Sequence, residues 1–253
     1  MKEKIKKFIL DLGVDDVGFA KVEDYHSPKS YPVASFLPEA RTIISLVFQE
    51  LDTCESPSVT IAMNGRLDMN SFQRSCSYQI NRFLKREFRA KVVDMPYSNP
   101  MELHKERPAI ADFSQRHAAV AAGMGTFGRH NLVIHPRLGT RIGLTALITD
   151  LVIEPDEKIE QDLCRHCDLC VKNCPAGALD EAGKTSVGKC IRHSQPYGLG
   201  ANIAFWKEFS GSSPEEQKNM FMEERYGRLQ QADSMGMQYY CFNCMKLCPV
   251  GVR

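Results

Sequence analysis

The residues best suited to chemistry are cysteines in the last ninety positions. Cys164, Cys167, Cys170 and Cys174, followed by Pro175, spell C-x2-C-x2-C-x3-C-P. That is the spacing with which bacterial ferredoxins wrap a [4Fe–4S] cluster, the fourth cysteine reaching across to a second cluster. Cys241, Cys244 and Cys248, followed by Pro249, give the same string without its first cysteine. Cys190 is the candidate for that missing ligand, displaced upstream by an insertion over 191–240. The crossover rule then assigns one cluster to Cys164, Cys167, Cys170 and Cys248, and the other to Cys174, Cys190, Cys241 and Cys244. A zinc site would use four ligands in one tetrahedron and gives no reason for C-x3-C-P. A disulfide framework would need an oxidising compartment. Cys54 and Cys76 read as ordinary buried thiols.

These motifs need a scaffold. With 253 residues the chain can hold one large or two small domains. Its 43% hydrophobic and 25% charged residues are ordinary for a globular chain. The formal charge of +1 supplies no global field towards nucleic acid or an anionic membrane. No apolar stretch approaches the ~18 residues that span a bilayer. Met1-Lys-Glu-Lys-Ile-Lys-Lys leads into a charged helix pattern instead of a signal sequence. Ten cysteines without a signal imply a reducing cytoplasm.

Periodicity predicts a helix over 2–12 (Ile5, Phe8, Ile9, Leu12) closed by Gly13, and strands over 14–20 and 42–48. A long helix follows over 68–90, then a strand over 91–95 stopped by Pro96. A short Ala-rich helix over 116–123 enters Gly123-Met-Gly125-Thr-Phe-Gly128, with strands over 131–135 and 142–153 after it. A polar, Met-rich segment over about 203–233 reads as mostly helical. The expected fold is α+β, an α/β domain over 1–155 followed by a ferredoxin-like module over 156–253. A G-x-G-x-x-G marks a dinucleotide site when it follows a strand and opens a helix. Here it follows a helical pattern and precedes a strand, so it reads as a turn where backbone approaches backbone or a cofactor.

The run Arg107-Pro108-Ala-Ile-Ala-Asp112 through Gly123-x-Gly125-x-x-Gly128-Arg129-His130-Asn131 resembles the core of epoxyqueuosine reductases, relatives of the corrinoid-dependent reductive dehalogenases. Leu138-Gly-Thr140-Arg-Ile-Gly143, Leu147-Ile-Thr149-Asp150 and the split cysteine motifs continue the match over about residues 1–250. The resemblance implies a nitroreductase-like N-terminal domain holding cobalamin, which two [4Fe–4S] clusters reduce. It implies a low-potential donor of ferredoxin or flavodoxin type and, at the position of Asp112, an aspartate that donates a proton. Corrinoid or substrate contacts would fall on Gly65, Arg66, Asp68, Gly123, Gly125, Gly128, Arg129, Asn131 and Thr140. No D-x-H-x-x-G string offers a histidine lower ligand.

The family's tRNA-modifying members continue into a C-terminal extension, whereas this chain stops at Arg253. The expectation is therefore a short member acting reductively, by deoxygenation or dehalogenation, on an unidentified small molecule, with tRNA not a partner. A two-cluster electron carrier and tRNA epoxyqueuosine reduction are the alternatives. The family's segment before the long helix appears as Ala62-Met-Asn64-Gly65-Arg66-Leu-Asp68-Met69, keeping Gly65 and Asp68. Asp112-Phe-Ser-Gln115 also fits a capping box, which would make Asp112 a helix N-cap. Residues 64–91 carry seven Lys/Arg against two acids, either a solvated helix face or a contact for the corrinoid tail.

Overall fold

A computed structural model describes residues 1–96, 111–181, 183–236 and 239–251. The first part runs α1 (Lys2–Asp11), β1 (Asp16–Lys21), β2 (Thr42–Gln49), α2 (Val59–Phe88), β3 (Val92–Asp94), α3 (Gln115–Ala121), β4 (Thr126–Phe127), β5 (Val133–Ile134) and β6 (Ile142–Thr149). Strands β1, β2, β6 and β3 form one antiparallel sheet in that spatial order.

Both faces of this sheet are covered, which explains why β2 and β6 read as continuous apolar runs. Ile43 and Val47 of β2, with Leu144, Ala146 and Ile148 of β6, pack with Ala118, Ala119 and Ala122 at α3. The alternate residues Ile44, Leu46, Phe48 and Leu147 pack with Ile5, Ile9, Cys76, Ile80 and Leu84 of α1 and α2. Phe8 stacks on Phe83, ring centres 3.9 Å apart, locking α1 to α2. Gly13, at φ +94°, turns the chain out of α1 into the sheet.

Helix α2 begins nine residues before the expected position 68, so the Ala62–Met69 segment lies inside it. The Ser58 hydroxyl accepts from the Ile61 amide and caps it. Gly65 is tolerated because it lies against Thr53 and the Cys54 backbone, where a Cβ would stand 3.0–3.1 Å from its neighbours.

The second part runs α4 (Leu169–Lys172), α5 (Val187–Ser194), α6 (Leu199–Gly211), α7 (Pro214–Met220), α8 (Glu224–Met235) and α9 (Asn243–Lys246). The helical segment expected over 203–233 is broken at Ser213, where a capping box with Glu216 and Pro214 at the first turn start a new helix. Phe205, Met220 and Leu229 give these helices a small core of their own. The junction is pinned to the sheet by the Asp156 carboxylate, which accepts from Lys2 Nζ (2.6 Å) and the Phe19 amide (2.9 Å). Among the described residues no helix is long and apolar enough to cross a membrane.

Candidate iron–sulfur site

Cys164, Cys167, Cys170 and Cys248 line one groove, with Arg129, His130, Arg165, Asp168, Leu169, Pro249 and Val250 around them. His166 and Asp168 sit at φ +48° and +55°, so the chain coils tightly between its thiols before α4 begins. The Asp162 carboxylate accepts from the Cys164 amide at 2.8 Å, and the Arg129 amide donates to Cys164 Sγ at 3.4 Å. Cys248 comes from the far end of the second motif. Burial, then the neighbouring Cys164 and Cys167 thiols, pushes the Cys170 thiol up.

The second set gathers beside the first. Burial pushes the Cys244 thiol up to about 12, and the charges of Cys190, Cys241, Cys174 and Cys170 add to it. Cys190, carried on α5, is likewise raised by burial and by Cys241 and Cys174. The Ala178 amide donates to Cys174 Sγ at 3.3 Å. The Tyr240 amide donates to the Ser194 carbonyl at 2.6 Å, bringing the start and end of the 191–240 insertion together. Cys170, one of the first four thiols, is thus also an electrostatic neighbour of Cys244 in the second set.

None of the ten cysteines is paired in a disulfide. Among the described residues no three His, Cys, Asp or Glu groups close around a single ion. Four thiols lining one groove suit a polynuclear cluster, each on its own iron. An iron cluster bound there would hold these thiols ionised against the upward push of burial. Cys54 and Cys76 are buried and belong to neither set, and burial pushes Cys76 up to about 11.

Several residues expected at a corrinoid bolt the cysteine module to the sheet domain. The Arg129 guanidinium donates to the Glu181 carbonyl (2.8 Å) and the Asp180 carbonyl (3.2 Å) and pairs with Asp168 at 3.3 Å. Thr140 Oγ1 donates to the Met245 carbonyl at 2.8 Å. The Arg66 guanidinium pairs with Glu50 at 3.2 Å, donates to the Cys54 carbonyl at 2.8 Å and stacks on Phe242, 3.2 Å above the ring centre. Burial raises Glu50 above the usual carboxylate range despite the opposing Arg66 charge.

Arg141, which sequence reasoning passed over, is buried, pairs with Glu55 and donates to the carbonyls of Lys246 (2.6 Å) and Cys248 (3.4 Å). Its only sequence signal is its place beside Thr140. Gly123, at φ +71°, lies where a Cβ would stand 2.2 Å from the Glu157 carbonyl oxygen. Gly125 packs on Ile134, Gly128 on the His130 ring, and Asn131 offers its carbonyl to Arg116. Asp68 is exposed and accepts from Asn64 Nδ2 at 3.1 Å. The Gly123–Gly128 string joins α3 to β4, the reverse of the strand–turn–helix order a dinucleotide site needs.

Asp112 is not the N-cap of α3. Ser114 holds that place, its hydroxyl accepting from the His117 amide and meeting His117 Nδ1 at 2.7 Å. The turn bearing Asp112 is fixed on both sides: its carbonyl accepts from the Tyr31 amide at 2.9 Å, and the Ser114 amide donates to the Tyr25 hydroxyl at 2.8 Å. Phe113 stacks on Tyr25 at 4.7 Å. Asp112 Oδ1 is shut from solvent. His117 is lowered by burial and then by Arg116, and burial alone pushes His130 down to about 4. Arg107 and Pro108 lie outside the described residues.

Residues 157–180 match the family model described as a 4Fe-4S binding domain, which spans Cys164, Cys167, Cys170 and Cys174. The chain is 23% identical over 281 residues to an epoxyqueuosine reductase of Staphylococcus aureus, covering 98% of this chain and 64% of that protein. It therefore spans just under two thirds of that relative. A solved epoxyqueuosine reductase with an epoxyqueuosine-modified tRNA-Tyr stem loop has a TM-score of 0.57 at 22% identity, covering 75% of this chain and 56% of the other. A B12-dependent reductive dehalogenase has a TM-score of 0.58 at 18% identity, covering 96% and 37%. The expectation that tRNA is not a partner does not stand, because this chain is similar to epoxyqueuosine reductases and one solved epoxyqueuosine reductase holds an epoxyqueuosine-modified tRNA stem loop. That expectation rested on a whole-chain charge of +1, an average that hides local patches, and on where the chain ends. Over nearly its whole length this chain is similar to epoxyqueuosine reductases.

Proposed function

From that similarity we propose that the chain is an iron–sulfur reductase that removes an epoxide oxygen, with epoxyqueuosine in tRNA as its substrate. The observation that carries the electron-transfer part is the gathering of eight cysteines into two adjoining sets, Cys164, Cys167, Cys170 and Cys248 beside Cys174, Cys190, Cys241 and Cys244. Each set supplies the four thiolates of one [4Fe–4S] cluster. Residues 156–253 are then a two-cluster relay filled by a low-potential ferredoxin- or flavodoxin-type donor in a reducing cytoplasm. Residues 1–155, with a nitroreductase-like scaffold, hold the substrate. Arg129, Thr140 and Arg141 keep relay and scaffold in fixed register.

Releasing an epoxide oxygen as water leaves an alkene and consumes two electrons and two protons. The relay supplies the electrons. Asp112, on an anchored turn with one oxygen out of solvent, supplies one proton, and solvent supplies the other. The exposed face of α2 bears Arg74, Arg82, Lys85 and Arg86, with Arg89 just past its end, a stripe suited to phosphates.

A corrinoid is the acceptor that the dehalogenase and epoxyqueuosine reductase resemblance implies. The described residues named for it do not fit as a cradle. Arg66, Arg129 and Thr140 are spent on protein partners, Gly65 and Gly123 lie against backbone, and Asp68 faces solvent.

The test is anaerobic reconstitution with iron and sulfide, metal analysis, and incubation of the reduced protein with epoxyqueuosine-bearing tRNA, followed by nucleoside mass spectrometry. About eight irons per chain and loss of one oxygen mass from the nucleoside are expected. An iron content near four overturns the two-cluster relay, and unchanged tRNA overturns the substrate.

A further inference from the structure

His130 lines the groove of Cys164, Cys167, Cys170 and Cys248 and is 3% exposed. The Leu132 amide donates to its Nδ1 at 3.1 Å, which leaves the proton of the neutral ring on Nε2. That Nε2–H is shut from solvent and has no acceptor among the described residues. An ordinary core histidine uses both nitrogens. His135 does so: its Nδ1 accepts from the Arg137 and Leu138 amides at 3.3 and 3.2 Å, and its Nε2 meets Asp16 Oδ2 at 3.1 Å. His130 is instead a fixed, buried donor with nothing to donate to, in a groove lined by four thiols. Its ring packs tightly against Gly128, where a Cβ would stand 2.5 Å from its Cε1.

We propose that the Nε2–H of His130 donates a hydrogen bond to a sulfur of the cluster held by Cys164, Cys167, Cys170 and Cys248, and thereby raises the potential of that cluster. The proposal rests on reading this groove as a cluster site. Reduction adds one electron, from [4Fe–4S]2+ to [4Fe–4S]+, and the added negative charge spreads onto the sulfurs. A donor aimed at sulfur stabilises the reduced form more than the oxidised one. Of the two clusters, only this one has an acceptor-free buried imidazole among the described residues lining it. This bond therefore grades the relay by shifting one cluster upward and leaving the other unshifted.

The test is a dithionite titration of the reconstituted full chain, followed by electron paramagnetic resonance and paired with iron analysis. His130→Leu removes the donor and keeps bulk. Its expected effect is a roughly tenfold weaker reduction of one cluster, about 59 mV for a one-electron couple, with iron content and the second cluster unchanged. His130→Gln, which keeps an N–H, restores most of the shift. Full iron with an unmoved potential in His130→Leu overturns the proposal alone, as does an equal shift in His130→Gln. Absence of iron from the unsubstituted protein overturns the cluster reading and the proposal with it. Where His130→Leu fails to hold iron, Gly128→Ala, whose methyl displaces the ring, decides: a lowered potential supports the bond and an unmoved one refutes it.

Discussion

Arg66→Met is the sharpest probe of how the two halves are joined. Arg66 and Glu50 form a pair whose side chains are 8% and 3% exposed, held at 3.2 and 3.4 Å. Arg66 also satisfies the carbonyls of Cys54 and Ala62 and covers Phe242, in the second cysteine motif. Removing one partner of such a pair leaves a buried charge alone, at a cost of about 3–5 kcal/mol, whereas replacing both is near neutral. Arg66→Met should therefore lose about 3–5 kcal/mol at neutral pH, and Arg66→Met with Glu50→Gln should recover most of it.

The pH dependence has a definite sign. Burial already holds Glu50 above the carboxylate range, and Arg66 is the largest influence pulling it down. Without Arg66 the folded value climbs further. Between the unfolded value, about 4.3, and the folded one, the native state holds a proton that the unfolded chain has lost. Stability then falls as pH rises, so the deficit is larger at pH 8 than at pH 5. Urea unfolding of the full chain, followed by circular dichroism at both pH values, reads this directly. A loss under about 1 kcal/mol, or a double variant no better than the single, would refute the buried-pair account.

Three further outcomes are expected. Cys190→Ala and Cys248→Ala should each retain about four of eight irons, and iron analysis with spectroscopy should show a different surviving cluster in each. Gly139→Ala places a methyl 1.9 Å from the Val250 carbonyl oxygen at φ +63°, so it should cost at least roughly 1–3 kcal/mol, visible in thermal unfolding. Asp112→Asn should slow the conversion of epoxyqueuosine-bearing tRNA by about 10²–10⁴-fold while filter binding shows unchanged tRNA affinity.

Much of the cysteine site is visible in the sequence because cluster chemistry demands thiols at fixed short spacings, and C-x3-C-P twice is hard to misread. Cys190 emerges only by counting which ligand the second string lacks. The sheet strands are legible too, since β2 and β6 must be apolar on both faces. Helix α2 starts earlier than its pattern suggests because Asn64, Gly65 and Asp68 look like breakers. Ser58 caps the helix and Gly65 is needed where Thr53 crowds it.

Arginine partners are the least legible layer. Arg66, Arg129 and Arg141 look alike in a sequence, yet one covers Phe242, one grips carbonyls beyond the first motif and one grips the second. Long-range carbonyl acceptors leave no local signature. His130 is the same problem in reverse, because what distinguishes it is a partner it lacks among the described residues.

The insertion has a consequence for how this module varies. It leaves at Cys190 and returns at Cys241, thiols of a single set, and Tyr240 meets Ser194 at its neck. Helices α6 to α8 pack on Phe205, Met220 and Leu229, apart from the sheet. Because these helices carry their own core, changes on the outer surface of α6 to α8 need not disturb the thiols at the neck, and that surface is where this module is freest to diverge.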